Sequence, residues 1–350
     1  MPKRIGFLWE KMISRENCIR AEKEMCKNKK DNAKARFIAK HVDEFGGALF
    51  QKLIRGTFEF HKPYERSICE SYKKKERHLK IPCLEDQAAM QAWLNIATPY
   101  IVKRNYFYNC GSIPGGGQTR AVKGLQKHLS GKKPPKWACV SDIRHFYETC
   151  PHEAVLAGLR RIFKDEKFIG FAAEIMKSMS DTGIGLAIGY PVSHWFANVA
   201  LMHIDHELRR RFPDVLHFRY MDDTVFISHN KRHLRRAFQF YAANVEALGM
   251  SIKPNWQLFP IRSRGITFLS YRFFHGYTIL TKPLMFRIAR KMKNAAKGLT
   301  VHLAASVMSY MGILKHCNSR HFFEARVLPY IRPKKCRRMI SDASKLCVAA

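Results

Sequence analysis

The sequence predicts an α+β fold, on three observations. From Lys136 onward, short apolar segments alternate with amphipathic helical ones. The stretch HFRYMDDTVFIS reads as two strands joined by a tight turn, the signature of an antiparallel hairpin. Both ends of the chain, residues 1–60 and 276–350, are basic and patterned for helix.

Taken in order, the first 60 residues carry the exposed charged stretch KNKKDNAKAR, followed by Phe37, Ile38, Val42, Phe45 and Leu49 at the spacing of one helix face. SYKKKERHLKIP is a basic run entering a short strand that stops at Pro82, and helical spacing resumes from Glu85 to Tyr100. A glycine-rich loop, CGSIPGGGQTR, follows, without the strand before it or the Lys-Ser/Thr after it that a phosphate-binding loop needs. WACVSDIRHFY is predicted as a strand, EAVLAGLRRIF and SHWFANVALMHIDHELRRRF as helices, and RHLRRAFQFYAANVEALGM as another helix. GITFLSYRFFHGYTIL reads as a strand pair bending at His275-Gly276.

Composition narrows the function. The chain has 350 residues with 62 Lys+Arg against 28 Asp+Glu, a formal net charge of +34. Self-repulsion of that size is tolerated where a polyanion neutralises it, either nucleic acid or an anionic membrane face; the plain alternative is a merely soluble basic protein. The 46% hydrophobic fraction excludes a disordered basic tail as the whole story. No apolar run approaches the roughly 20 residues of a membrane span, and the charged N-terminus develops no signal-peptide core, so a cytoplasmic protein without membrane partners is expected. Ten cysteines lie scattered without paired ligand spacing and read as ordinary reduced residues. Residues 276–350 hold fifteen Lys/Arg against two acidic side chains, which predicts a basic helical lobe.

The chemistry centres on Tyr220-Met221-Asp222-Asp223. Adjacent carboxylates at the tip of an apolar hairpin repel each other and are stable together when cations are present; alone, the pair also fits a polar turn. Asp142, at the end of the apolar segment Trp137–Val140, can supply a third oxygen, or it can simply cap the helix that follows. Together the three match an arrangement that holds two Mg²⁺ ions about 3.5–4 Å apart for in-line phosphoryl displacement.

These segments resemble the palm of reverse transcriptases. VSDIRHFY resembles the first palm motif, IGYPVSHWFANVAL the second, and RYMDD the hairpin with paired aspartates. MSIKPNWQ and SRGITFLSYRFF are similar to the fourth motif and the primer-grip hairpin, KERHLKIPCLEDQAAMQAWL to the fingers, and CGSIPGGGQ to the loop before the palm. The resemblance implies a right-hand polymerase: a basic helical N-terminal extension over 1–60, fingers over 61–135, a palm of antiparallel sheet plus helices over 136–275, and a helical basic thumb with tail over 276–350. The implied activity is RNA-directed DNA polymerisation by two-metal nucleotidyl transfer, using Mg²⁺, with Mn²⁺ able to replace it.

Carried over residue by residue, the resemblance makes Asp142 and Asp222 the principal metal ligands, with Asp223 assisting and Ile143 in the metal set. Tyr147 becomes the aromatic gate below the incoming sugar, Lys75 and Arg77 the triphosphate clamp, and Lys253 the candidate proton donor to pyrophosphate, because Trp256 stands where the fourth-motif lysine is usual. Ile188, Gly189 and Ser193 belong to the second motif and, on the resemblance, to the nucleotide-binding residues; the motif's aliphatic residue resembles that of diversity-generating retroelement enzymes, and His194 departs from that clade. The implied partners are an RNA template, DNA product, dNTPs, a structured non-coding RNA and a small basic accessory protein, in a bacterial or phage setting. Too few residues follow the expected thumb for a nuclease domain of ordinary size, so polymerisation without cleavage is expected. Two rivals remain: a defence-associated or retron-like enzyme working on a dedicated non-coding RNA, and a catalytically silent RNA-binding protein on the same fold.

Overall fold

The structure is a computed structural model that describes residues 3–70 and 75–349. Its centre is an antiparallel sheet. After the hairpin β1 (Tyr64–Glu70) and β2 (Lys75–Ile81) come β3 (Trp137–Arg144), β4 (Leu216–Tyr220), β5 (Asp223–Ser228), β6 (Ser251–Ile252) and β7 (Gln257–Pro260). The central order is β4-β5-β3, and the far edge of β3 is shared: β7 pairs with its first half and β6 with its end.

The side-chain alternation of these strands separates two hydrophobic cores. Cys139 and Phe226 point into one; Ala138, Phe218, Val225 and Ile227 point into the other. Helix Lys231–Ala247, capped by Asn230 accepting from Arg232 N and His233 N, packs on β3, β5 and β6. Helix Gly117–Leu129 packs against β4. With both faces covered, β4 and β5 are almost continuously buried, which is why they read as apolar runs. Among the described residues no helix is long and apolar enough to cross a membrane.

Two elements differ from the sequence reading. The Phe37–Leu49 stretch is not one helix but two, Ala33–Lys40 and Val42–Arg55, interrupted at His41, so that Ile38 and Leu49 are buried while Phe37 is exposed. The expected strand pair after Gly265 is a three-stranded meander of β8 (Ile266–Phe268), β9 (Tyr271–Phe273) and β10 (Thr278–Leu280). The additional turn lies at Leu269-Ser270, both with positive φ (50° and 71°). That two-residue geometry normally announces itself by Asn-Gly or Gly, and neither is present.

Candidate active site

The β4–β5 hairpin and β3 bring the three aspartates together. Asp142 lies directly opposite Asp223 in the β3–β5 ladder, and Asp223 also pairs with Tyr220 across the hairpin. Asp222 sits in the connecting turn, where its carbonyl accepts from Ile143 N at 3.2 Å. Burial, then the facing Asp142 carboxylate, pushes the Asp222 carboxyl above its ordinary range, and the Lys253 ammonium opposes this. Lys253 holds Asp142 twice: its N–H donates to the Asp142 carbonyl (2.8 Å) and Nζ to Oδ2 (2.7 Å). Asp142 Oδ1 is buried and has no hydrogen-bond partner among the described residues. A buried carboxylate oxygen without a donor, beside a second carboxyl that burial and charge keep high, is what a divalent cation would satisfy, and an all-oxygen donor set suits a hard one. Ile143 can offer such an ion only backbone atoms, since its side chain is apolar and buried.

The turn carrying Asp222 is braced from behind. Met221 takes a positive φ of 59°, a conformation costing a non-glycine residue about 1–3 kcal/mol. Its carbonyl accepts from Arg219 Nη1 at 3.2 Å. Arg219 is fully buried, with Nη2 2.6 Å from Asp205 Oδ2 and Nη1 3.2 Å from Asn198 Oδ1. Asn198 Nδ2 in turn donates to the Gly111 carbonyl at 2.8 Å, and Gly111 lies against Met221 where a Cβ would stand 2.7 Å from its backbone nitrogen. Burial, offset by Arg219 and His217, leaves the Asp205 carboxyl at about 2. Sequence reading missed Arg219, Asp205, Asn198 and Gly111. The available signal was Asp205 itself, an acid at helical spacing with the apolar residues Ala197, Leu201 and Leu208.

Tyr147 follows β3 through His145, whose φ of 48° turns the chain back. Its hydroxyl lies 3.7 Å from Met221 Sδ, and burial together with Asp222 pushes that hydroxyl up to about 12 while Arg77 opposes the rise. Arg77, on β2, therefore acts on the same space. A cleft of about 500 Å³ runs between the β1–β2 hairpin and residues 184–188, lined by Arg77, Lys80, Gly185 and Ile188 among others. Next to it, the 188–189 backbone lies against β2: Lys80 N donates to the Ile188 carbonyl at 2.9 Å, and a Cβ on Gly189 would meet the Lys80 carbonyl at 2.4 Å. Ser193 does not join the cleft. It is 3% exposed and its hydroxyl donates to the Ala187 carbonyl at 2.6 Å, shaping the loop that presents Ile188. The backbone of Lys75 opens β2, and its side chain lies outside the described residues.

Residues 71–273 match the family model described as reverse transcriptase (RNA-dependent DNA polymerase). The chain belongs to the reverse transcriptase family. Among curated relatives of this family member is Protein YkfC of Escherichia coli (strain K12), 22% identical over 173 residues, 47% of this chain and 45% of that one. Among solved structures, the apo telomerase of Candida tropicalis matches with TM-score 0.52 at 12% identity, over 88% of this chain and 63% of that one. The telomerase of Candida albicans, solved with a fragment of telomeric RNA, matches with TM-score 0.47 at 11% identity, over 81% of this chain and 57% of that one. The chain thus spans about half the length of the curated relative and under two thirds of the telomerases. The first telomerase likeness shows the fold, a right-hand polymerase.

Proposed function

We propose that the chain is an RNA-directed DNA polymerase that copies an RNA template into cDNA, with fingers over residues 61–135, a palm over 136–275, a basic thumb and tail over 276–350 and a helical extension over 1–60. The observation that carries this is the cross-strand pairing of Asp142 with Asp223 beside Asp222, with Asp142 Oδ1 left unpartnered. Asp142, Asp222, Asp223 and the Ile143 carbonyl would hold two Mg²⁺ ions, or Mn²⁺ in their place. Bound there, the ions would acidify the primer 3′-OH and neutralise the charge of the leaving pyrophosphate.

The chain's own groups do the rest. Arg77 and Lys75 hold the triphosphate from the β1–β2 hairpin, Lys253 supplies the proton to pyrophosphate, and the Tyr147 ring, beside Met221, is the gate that would collide with a ribose 2′-OH and so make the product DNA. Ile188 lines the cleft with an aliphatic side chain that makes no hydrogen bond to the nascent pair, and this supports a diversity-generating retroelement, served by a structured non-coding RNA and a small basic accessory protein.

The test is primer extension on a defined RNA template. Asp222→Asn is expected to abolish incorporation while RNA affinity stays intact or rises slightly, since a negative charge leaves the groove; extension near the wild-type rate would refute the metal site. Sequencing the wild-type cDNA from the same assay tests the retroelement setting. Errors concentrated opposite template adenines support it, and uniformly low error at all four bases removes it.

A further inference from the structure

A second cavity, of about 680 Å³, lies at the other end of the central sheet. Trp137 opens β3, flanked in the ladders by Ser228 at the end of β5 and Pro260 at the end of β7. Five residue steps along β3 take Trp137 to Asp142, about 16 Å at the usual rise, so the cavity is remote from the aspartates. Its walls carry Lys133, Lys136, Arg262, His229 and His275 around Trp137, and no carboxylate among the described residues.

The walls are tied together. Ile261 N donates to the Lys136 carbonyl at 2.9 Å, which fixes Arg262 beside the 133–136 segment. His275 Nε2 donates to the Pro135 carbonyl at 2.8 Å, which draws the β9–β10 turn to the same segment. Lys231 adds a further cation, its Nζ 4.7 Å from the centre of the Trp137 ring. Lys133, Lys136 and Arg262 are exposed and their charges are uncompensated by any acid lining the cavity. Three cations lining the cavity and a fourth over its aromatic wall, in a volume within the range of small-ligand sites, match the chemistry of a phosphate-bearing nucleotide.

We propose that this cavity is a second nucleic-acid site, which holds a single-stranded RNA segment by its phosphates through Lys133, Lys136 and Arg262, with Trp137 against a base. The proposal rests on the polymerase reading for its choice of RNA. Its role is to anchor RNA outside the catalytic groove, so that the strand is retained while the template end moves past the aspartates.

The test compares wild type with the triple variant Lys133→Glu, Lys136→Glu, Arg262→Glu, whose positions are all exposed. Two measurements are made: the salt dependence of affinity for a single-stranded RNA of about 40 nucleotides, and extension of a short template–primer at saturating concentration. Loss of three phosphate contacts is expected to lower the slope of log affinity against log salt by about 2, and affinity at least tenfold, while short-substrate extension stays within twofold. Ultraviolet crosslinking should place RNA on Trp137 in wild type and not in the triple variant. An unchanged slope overturns the site. So does an equal loss in extension of the short substrate, which would make the cavity part of the catalytic groove. RNA crosslinks displaced by millimolar inorganic triphosphate, with affinity independent of RNA length, would identify a free nucleotide as the ligand and overturn the strand anchor. If wild type extends nothing, the polymerase reading fails while the slope still decides the cavity.

Discussion

Replacing Gly111 by alanine should disable the active site without touching a carboxylate. A Cβ at this position would lie 2.7 Å from Met221 N, 3.1 Å from Met221 Cγ and 3.2 Å from Met221 Sδ, where ordinary contacts begin at 3.4 Å. Gly111 does not have a positive φ, so alanine is acceptable to its own backbone and the whole effect is steric. The required yield is about 0.7 Å, and it cannot be absorbed by a flexible side chain, because the nearest atom is backbone. The turn is pinned on its other sides by Arg219 Nη1 to the Met221 carbonyl and by Ile143 N to the Asp222 carbonyl. The displacement therefore reaches Asp222, the next residue. A misplacement near 1 Å costs about 100-fold in rate, or about 2.7 kcal/mol of barrier. Overpacking itself should lower stability by about 1–3 kcal/mol. Single-nucleotide extension should show the loss in kcat with little change in KM for the template–primer, while circular dichroism shows a folded protein. Gly131→Ala, whose Cβ would meet nothing nearer than 3.9 Å, serves as the control. A folded Gly111→Ala protein with kcat within twofold of wild type would refute the claim that this contact sets the position of Asp222.

Two further outcomes concern the buried charges. Arg219→Met removes the main partner of the buried Asp205 carboxyl, which should cost about 3–5 kcal/mol in urea unfolding, and adding Asp205→Leu should recover most of that; a double variant no more stable than the single one would show that the pair is not the unit. Glu22 is buried, its Oε2 unpartnered, and burial with Glu85 nearby pushes its carboxyl up to about 7. Its folded value lies above the unfolded one, so the stability it contributes is full below about pH 4.5 and is lost as pH rises through 7. Glu22→Gln should therefore gain about 1–2 kcal/mol over wild type at pH 8 and little at pH 4, read from urea midpoints; equal gains at both would refute the linkage.

The sequence exposed the parts of the site whose signal is local. A strand buried on both faces needs an apolar run, and the acidic residues at the ends of two such runs, Asp142 after Trp137–Val140 and Asp222-Asp223 between Phe218 and Val225, stand out against it. Helix Lys231–Ala247 was readable for the same reason, since its buried positions Leu234, Ala237, Phe238, Tyr241 and Val245 follow the helical period. Turn geometry without its usual residues was not readable. Leu269-Ser270 and Met221 adopt positive φ with no glycine or asparagine to announce it, because tertiary contacts impose the conformation.

What was least readable is what fixes the aspartates in place. Met221 holds a conformation that its own side chain disfavours, and the groups that compensate come from four separate stretches: Gly111 from the loop before helix Gly117–Leu129, Tyr147 from beyond β3, Arg219 from β4, and Asn198 and Asp205 from helix Ser193–Arg211. Only Tyr147 has a role that its own motif announces. Asp205 and Arg219 look like surface charges until the fold buries both, and Gly111 looks like one more glycine in a loop that holds several. Ser193 shows the converse: a residue of the second motif whose hydroxyl donates within the loop carrying Ile188. A motif marks where the reacting groups are. The precision of their placement belongs to long-range packing, because a carboxylate pair that repels itself stays at a turn tip only if the turn cannot relax away.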